Sequence, residues 1–228
     1  MDPNLKIALV GYGRFGKKYY KTLKKLNLSD KTIIFKKHDK KKYIKISSEN
    51  LKKKKIHLGI IVTPPNTHYK IATLFLKNKI PFILEKPAAM NSLQVKNIKK
   101  LSLKNKTSVI VNYSDLFNNN FIKLYESEKN LRNYVTGKFL FGKFNGNYTN
   151  LSFLPYFDWF PHILATYFYI FKKIKKKKII TYNFFKKQNN YFEEISMNLY
   201  FDDDKFINIK FSNLSKKKKK NYKIKNIV

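Results

Sequence analysis

The chain contains no cysteine and no long apolar segment. The absence of cysteine among 228 residues excludes disulfide bonds and thiolate metal sites. The four histidines, at positions 38, 57, 68 and 162, show no ligand spacing, so no bound metal is expected. No apolar run approaches the length that crosses a bilayer, and the N-terminus lacks the apolar region of a signal peptide. These absences favour a soluble cytoplasmic protein that makes no membrane contact.

Acidic residues and arginine are also scarce. There are 14 acidic against 49 basic residues, which gives a formal net charge of +35. Such a charge suggests nucleic acid or an anionic surface as a partner. However, only Arg14 and Arg132 are arginines, whereas proteins that read phosphates and bases favour the planar guanidinium group. Because lysine is spread over every segment, we interpret the charge mainly as solvated surface that attracts anionic small molecules. A lysine-rich binder of nucleic acid or of an anionic surface remains an alternative.

Three of the seven glycines follow the first predicted strand. The apolar run 6–10 precedes them, and a segment with apolar residues at helical spacing follows. This order of strand, glycines and helix is the dinucleotide-binding fingerprint. The first glycine allows a sharp turn, the second removes a side chain where the backbone meets a pyrophosphate, and the third lets helix and strand pack closely. The predicted pyrophosphate site comprises Gly11, Tyr12, Gly13, Arg14, Phe15 and Gly16.

The second predicted strand, 32–35, ends in lysines. At this point a Rossmann unit normally carries an acid that holds the adenosine ribose hydroxyls. Lys36 and Lys37 cannot accept a hydrogen bond from a ribose hydroxyl, but they can neutralise a 2′-phosphate. NADP is therefore slightly favoured over NAD. Asp39 could bind the ribose instead if the strand ends later.

Two further apolar strands, 57–62 and 81–84, end in short polar motifs. The first is followed by Thr63-Pro64-Pro65-Asn66-Thr67-His68 and a helical pattern over 69–77, and the second by Glu85-Lys86-Pro87. Ligands of open α/β sheets bind at the carboxyl ends of the strands. We therefore expect these cofactor contacts in addition to the glycine turn: Thr63, Pro64, Pro65, Asn66, His68, Glu85 and Lys86.

The order of these motifs resembles the Gfo/Idh/MocA oxidoreductases, the glucose-fructose oxidoreductase and inositol dehydrogenase group. The family has a Rossmann domain with a GxGxxG turn, a TPxxxH strand end and an EKP motif, followed by an α/β domain. The resemblance implies that Lys86 reaches the substrate. It also implies that Asp158 and His162, in a D-x-x-x-H pattern, stand opposite the nicotinamide. It extends from residue 6 to about residue 170, and relatives usually continue further after the histidine, so it implies a shortened second domain.

The chemistry of such a site can be stated from the side chains. Oxidising a secondary alcohol requires a base for the hydroxyl proton, and histidine titrates near neutrality. Asp158 and His162 at i and i+4 share one helix face, so the carboxylate can orient the ring. Lys86 would stabilise developing charge on the reacting oxygen. The pattern departs from the family at Phe160, where Asp-x-Gly-x-His carries glycine, and at Ala165, where a further Asp three residues after the histidine is more usual; Pro161 would start the helix late. These departures leave open a cofactor-binding relative without turnover.

The expected fold class is α/β with two domains. Residues 1–112 are predicted to form a doubly wound parallel Rossmann sheet. Residues 113–228 are predicted to form a shortened α+β domain with a mostly antiparallel sheet, from strand-like runs at 138–144, 179–185, 191–201 and 205–211. The lysine runs 52–55, 175–178 and 216–220 are interpreted as loops or frayed ends, although Tyr222, Ile224 and Ile227 could add an edge strand. In relatives such a sheet forms a subunit interface, so a homo-oligomer acting on a sugar, cyclitol or nucleotide-sugar is expected.

Overall fold

The computed structural model describes residues 3–36, 43–119, 122, 134–142, 160–162, 164–166, 168–169, 174–187, 190–201, 206–215 and 219–225. The chain divides into two compact units, Met1–Asn112 and Tyr113–Val228. Each unit contains a sheet of its own.

The first unit alternates strands and helices. Its strands are β1 (Ile7–Val10), β2 (Thr32–Lys36), β3 (Ile44–Lys45), β4 (Leu58–Ile61), β5 (Phe82–Glu85) and β6 (Val109–Asn112). Its helices are α1 (Arg14–Lys25), α2 (Ser48–Lys53), α3 (Pro65–Lys77) and α4 (Ser92–Asn105). The strands form one parallel sheet in the order β3-β2-β1-β4-β5-β6. This is the order of a doubly wound Rossmann sheet, so the predicted fold class is confirmed.

The core of the first unit forms on both faces of the central strands. Every residue of β1 is at most 1% exposed, which explains why this strand is a continuous apolar run. On α3, the buried ring of Phe75 lies 5.7 Å from that of Phe82 on β5. Full burial of a side chain of this size contributes roughly 1.5–3 kcal/mol. The Phe75 ring also fills the space that a Cβ at Gly59 would need, so glycine lets α3 approach β4 closely.

The helices begin in two different ways. Ser47 and Asn91 cap α2 and α4 by accepting hydrogen bonds from backbone N–H groups of the first turn. Helices α1 and α3 have no side-chain cap. Helix α3 begins at Pro65, four residues before the predicted start, because proline suits the first helical position. The two helices without a side-chain cap follow β1 and β4, and their first N–H groups lie at the carboxyl edge of the sheet.

The second unit contains a mostly antiparallel sheet, as predicted. Its strands are β7 (Tyr134–Gly142), β8 (Ile174–Lys187), β9 (Asn190–Phe201), β10 (Phe206–Ser215) and β11 (Lys219–Lys225). Their order is β11-β7-β10-β9-β8, and only the β7–β10 pairing is parallel. Along β9, buried Ile195, Met197 and Leu199 alternate with half-buried polar residues. One face of this strand therefore contributes to a core.

The lysine run 175–178 is not a loop. It lies inside β8, and part of the run 216–220 lies in β11. The prediction for 175–178 was wrong; of the run 216–220, residues 219 and 220 lie in the edge strand that the sequence left as an alternative, and 216–218 lie outside the described residues. Strands β8 and β11 are the two edges of the sheet, and lysine is common on edge strands because it discourages pairing with another chain. A charge run therefore did not exclude a strand here.

Within the described part of the chain, no helix combines the length and apolar character needed to cross a membrane.

Candidate functional site

The glycine turn lies at the carboxyl end of β1 and is held by close backbone contacts. Gly11 has a φ of 97°, and a Cβ there would lie 2.6 Å from the Val62 carbonyl oxygen. A Cβ at Gly16 would collide with the Gly11 backbone. Both positions therefore require glycine, the first for its left-handed conformation and the second for the approach of α1 to the turn.

Gly13 is different because nothing lies within 4 Å of where its Cβ would be. This exposed residue is the N-cap of α1, and its φ of −79° suits other residue types. The first turn of α1 carries no acidic residue, and the cations of Arg14 and Lys18 lie 5.4 and 5.1 Å from the Phe15 ring centroid. Open space, unpaired N–H groups and positive charge fit the pyrophosphate of a dinucleotide.

Lys36 is the last residue of β2, as predicted, and it contacts an aromatic ring. Its Nζ lies 3.7 Å from the ring centroid of Tyr43. The Tyr43 ring in turn lies 5.9 Å from that of Tyr12, which belongs to the glycine turn. This cation–π contact holds the Lys36 ammonium group near the glycine turn. Lys37 and Asp39, the other two residues considered for this position, lie outside the described residues.

The loop after β4 is fixed by side-chain contacts. Thr63 accepts a hydrogen bond of 2.7 Å from the Thr67 hydroxyl, and Pro64 and Pro65 lead into α3. Asn66 is exposed in the first turn of that helix. The polar side chain of Asn66 and the first N–H groups of α3 therefore lie at the same sheet edge as the glycine turn.

His68 is fully buried and joins this loop to the next one. Its Nδ1 lies 2.7 Å from the Pro87 carbonyl oxygen and its Nε2 lies 2.8 Å from the Thr63 carbonyl oxygen. Burial lowers the pKa of His68, although the two carbonyl contacts favour the charged ring. Both ring nitrogens thus face backbone carbonyl oxygens, and the neutral ring donates a hydrogen bond to one of them. The contact of His68 with a cofactor stays a prediction. The contacts that the structure shows join the loop at Thr63 to the loop at Pro87.

The Glu85-Lys86-Pro87 motif follows β5, and the peptide bond between Lys86 and Pro87 is cis. The Glu85 carboxylate is held by two donors. The Tyr19 hydroxyl donates a hydrogen bond of 2.5 Å to Oε1, and the Asn112 amide donates to the same oxygen at 2.8 Å. The Asn112 amide also donates to the Tyr19 oxygen at 2.5 Å. Burial, followed by the contact with Glu85, strongly raises the pKa of Tyr19, which therefore remains a donor.

Sequence reasoning missed Tyr19 and Asn112. Asn112 could have been found from strand register, because it pairs with Glu85 in the β5–β6 ladder. Tyr19 lies one helical turn after Gly16, on the face of α1 that returns toward the sheet. Neither position matches a motif that was recognised in the sequence.

In the second unit, His162 is helical and only 8% exposed. Its Nδ1 lies 3.8 Å from the Asp115 carboxylate, and its ring meets that of Tyr113 edge-on at 6.4 Å. Asp115 belongs to the short 3₁₀ helix Ser114–Phe117. Burial raises the pKa of Tyr113. The predicted partner Asp158 lies outside the described residues. Sequence reasoning missed Asp115, the carboxylate that the structure places beside this imidazole.

Among the described residues, no three or more His, Cys, Asp or Glu side chains are grouped so that they could hold a metal ion.

Residues 5–113 match the Gfo/Idh/MocA family, described as an oxidoreductase family with an NAD-binding Rossmann fold. This match confirms the resemblance that the motifs predicted. Residues 5–113 are thus similar to the NAD-binding Rossmann domain of the Gfo/Idh/MocA oxidoreductases.

Solved structures of similar fold cover most of the chain. GenD2 from gentamicin A biosynthesis, in complex with NAD, is 12% identical with a TM-score of 0.81, covering 98% of this chain and 70% of that one. The UDP-N-acetylglucosamine 3-dehydrogenase GnnA from Acidithiobacillus ferrooxidans is 10% identical with a TM-score of 0.77, covering 96% and 71%. An NAD binding oxidoreductase from Klebsiella pneumoniae is 13% identical with a TM-score of 0.80, covering 97% and 70%. No curated protein sequence matches the chain.

The buried imidazole of His68 makes the stability of the protein depend on pH. Burial lowers the pKa of His68 in the folded state below the ordinary histidine value of 6.5, so below pH 6.5 the unfolded chain takes up a proton that the folded chain does not. This contribution to stability is present above pH 6.5 and is lost as the pH falls toward the folded-state pKa.

We therefore expect the free energy of unfolding to fall less steeply between pH 6.5 and 5 in His68→Gln than in the wild type. The upper limit of the difference is about 1.4 kcal/mol per pH unit. Urea denaturation at several pH values measures it. His57→Gln, which changes an exposed histidine, is the matched control. Equal slopes in His68→Gln and the wild type would contradict the expectation.

Proposed function

We propose that this chain is an NAD(P)-dependent dehydrogenase that transfers a hydride between the nicotinamide and a hydroxyl-bearing or ketone carbon of a sugar-type substrate. The observation that carries the proposal lies in the first unit. The glycine turn, with its open space at Gly13, and the Lys86 loop occupy the carboxyl edge of one parallel sheet, on strands separated only by β4. The same parallel sheet thus holds the glycine turn, which would bind the pyrophosphate, and Lys86, which would bind an oxygen of the substrate.

The cofactor site would be formed by the residues at this edge. Backbone N–H groups at Gly13 and at the start of α1 would bind the pyrophosphate, and the loop from Thr63 to Asn66 would line the path toward the nicotinamide. When bound, the nicotinamide supplies the two-electron redox chemistry by accepting or donating a hydride.

Lys36 supports NADP as the cofactor. The ammonium group is held by the Tyr43 ring at the end of β2, where a ribose-binding acid is otherwise usual. A cation at this position can pair with the 2′-phosphate of NADP, whereas it has no acceptor for the ribose hydroxyls of NAD.

Proton transfer is assigned to His162. With Asp115 at 3.8 Å from Nδ1, the remaining nitrogen, Nε2, is the atom that would take the hydroxyl proton. For Lys86 we propose the separate role of stabilising negative charge as it develops on a substrate oxygen. Asp158 remains a predicted second carboxylate. Asp115 supports the assignment because a carboxylate at 3.8 Å, although beyond hydrogen-bonding distance, attracts the charged form of the imidazole and so orients and stabilises it.

The substrate class rests on the relatives. The similar structures include a dehydrogenase named for UDP-N-acetylglucosamine, and the net charge of +35 favours the approach of anionic molecules such as nucleotide-sugars. We propose a nucleotide-sugar, sugar or cyclitol as substrate and an assembly of several copies through the sheet of the second unit. Light scattering of the purified protein measures the number of copies.

Cofactor binding is tested at Gly13. Asp is a good N-cap residue and has room at this position, so Gly13→Asp should fold with an unchanged melting temperature. Its carboxylate would occupy the place of the pyrophosphate, and we expect NADPH affinity to fall by more than about 100-fold. Fluorescence titration measures the affinity.

Gly13→Asn is the matched control, because it has the same shape without the charge and should lose less affinity than Gly13→Asp. A wild-type protein that binds neither NADPH nor NADH would refute both the dehydrogenase and the cofactor-binding relative. DNA retention that survives Gly13→Asp and falls with salt would then favour the nucleic-acid binder.

Cofactor choice is tested at Lys36. We expect Lys36→Gln to weaken NADPH binding by roughly 10-fold or more and to change NADH binding by less than about two-fold, because only NADPH offers a phosphate to the lost charge. Lys45→Gln, opposite Lys36 in the β2–β3 ladder, is the matched control for a loss of positive charge. Equal losses for both cofactors would contradict the assignment.

The catalytic roles are tested with a panel of nucleotide-sugars. Lys86→Ala and His162→Ala are each expected to lower kcat by roughly 100-fold or more, because charge stabilisation and proton transfer are lost. Asp115→Asn is expected to lower kcat by about 10-fold, because the imidazole keeps its proton-transfer atom but loses the carboxylate that orients it. Activity that persists in both alanine variants would refute the roles of Lys86 and His162.

A measurement without turnover accompanies this prediction. The chain has only four histidines, so the imidazole signals can be resolved by NMR and the His162 signal identified from its variant. Asp115→Asn should move that signal, whereas Asp30→Asn, which neutralises an exposed carboxylate, should not. If wild-type protein binds cofactor yet turns over no member of the panel, the relative without turnover is the better description.

A further inference from the structure

We propose that Tyr19 and His68 are positioning residues that anchor the backbone on the two sides of Lys86. This inference rests on the proposed function only in the use that it assigns to Lys86. The anchoring itself is a property of the first unit, and it can be measured without a substrate.

The anchor on the N-terminal side is the cluster of Tyr19, Glu85 and Asn112. Each member hydrogen-bonds to the other two, at 2.5, 2.5 and 2.8 Å. The three residues are half-buried, so a lost bond is not readily replaced by water. Because Glu85 immediately precedes Lys86, the cluster fixes the point from which the Lys86 backbone starts.

The anchor on the C-terminal side is His68. The Pro87 carbonyl oxygen lies 2.7 Å from Nδ1 and the Thr63 carbonyl oxygen lies 2.8 Å from Nε2, and we assign the single N–H of the neutral ring to Nδ1, where it donates to Pro87. His68 is fully buried within α3, so it cannot move aside without disturbing that helix. The residue that follows Lys86 is therefore tied to the loop after β4.

Two different helices thus hold the residues that flank Lys86. Tyr19 is on α1, whose first turn follows Gly13, and His68 is on α3, which follows the Thr63 loop. A lysine side chain has four rotatable bonds, so its ammonium group is placed accurately only if its Cα is fixed. The anchors also connect Lys86 to the two loops that would bind the cofactor. Misplacement of a catalytic group by about 1 Å can cost roughly 100-fold in rate.

The first measurement is hydrogen exchange of the protein without ligands. Tyr19→Phe keeps the ring and removes only the hydroxyl. We expect the amides of residues 85, 86, 88 and 89 to exchange about 10-fold faster than in the wild type, and His68→Asn to have the same effect. Tyr69→Phe is the matched control. Its hydroxyl also receives an asparagine amide, from Asn97, but it lies outside the cluster and should leave these amides unchanged.

The second measurement is turnover. We expect Tyr19→Phe to lower kcat by about 10- to 100-fold and to change the Kd for cofactor by less than about two-fold, because the pyrophosphate groups of α1 remain. In a Lys86→Ala background the same substitution should cause no further loss of kcat, because its effect is transmitted through the lysine. Glu85→Gln, which keeps the accepting oxygen, should retain more activity than Glu85→Ala.

The exchange rates test the anchoring of the backbone, and the kcat values test the positioning of Lys86. Unchanged exchange at residues 85–89 in Tyr19→Phe overturns the anchoring, whatever the activity. Faster exchange with unchanged kcat, or an equal loss of kcat in Tyr69→Phe, overturns the positioning role. A wild-type protein without turnover refutes the proposed dehydrogenase, and the exchange rates alone then decide whether the anchors exist.

Discussion

The two hydrogen bonds that Glu85 accepts connect the parts of the first unit on which a cofactor site depends. One donor, Tyr19, comes from the helix after the glycine turn, and the other, Asn112, ends the last strand of the sheet. Loss of a donor would leave part of a half-buried carboxylate unsatisfied, at a cost of roughly 1–3 kcal/mol. This cost keeps the end of β5 in one arrangement with α1. The position of the Lys86 loop relative to the glycine turn is therefore set by side chains as well as by the backbone ladder.

The parts of the fold that could be predicted from sequence are those with a local signal. The first strand, the glycine turn and the following helix are contiguous, and each glycine has a steric reason that can be stated before a structure is known. Strand ends such as Glu85 could also be placed. The contacts that assemble the site could not, because Tyr19 is separated from Glu85 by 66 positions and from Asn112 by 93. A tyrosine in an amphipathic helix carries no sign of which distant carboxylate it will meet.

The high lysine content explains why a strand was predicted to be a loop, and the fold explains where so many lysines can be accommodated. A run of four lysines is typical of a loop, yet 175–178 continues a strand at the edge of the sheet. Edge strands accept charge at little cost, because one side of the strand needs no partner. In the first unit the same bias leaves the core unchanged, since every residue of β1 remains apolar and buried. Charge of one sign has therefore accumulated where packing does not exclude it, and it raises the local concentration of anionic ligands.

Two carboxylates, Asp158 and Asp115, are candidates for the group that stabilises the charged form of His162 in the proposed reaction. A helix places residues four apart on one face, which favoured Asp158. The structure adds Asp115, from the 3₁₀ helix after β6, at 3.8 Å from Nδ1. In the proposed reaction one imidazole nitrogen serves the substrate, and the Asp115 carboxylate, which lies beyond hydrogen-bonding distance of the other, favours the charged ring through its charge. Because Asp115 lies on a segment distant in sequence from His162, it could take this role even where the D-x-x-x-H segment departs from its usual form. The departures at Phe160 and Ala165 therefore do not by themselves argue against the proposed proton transfer.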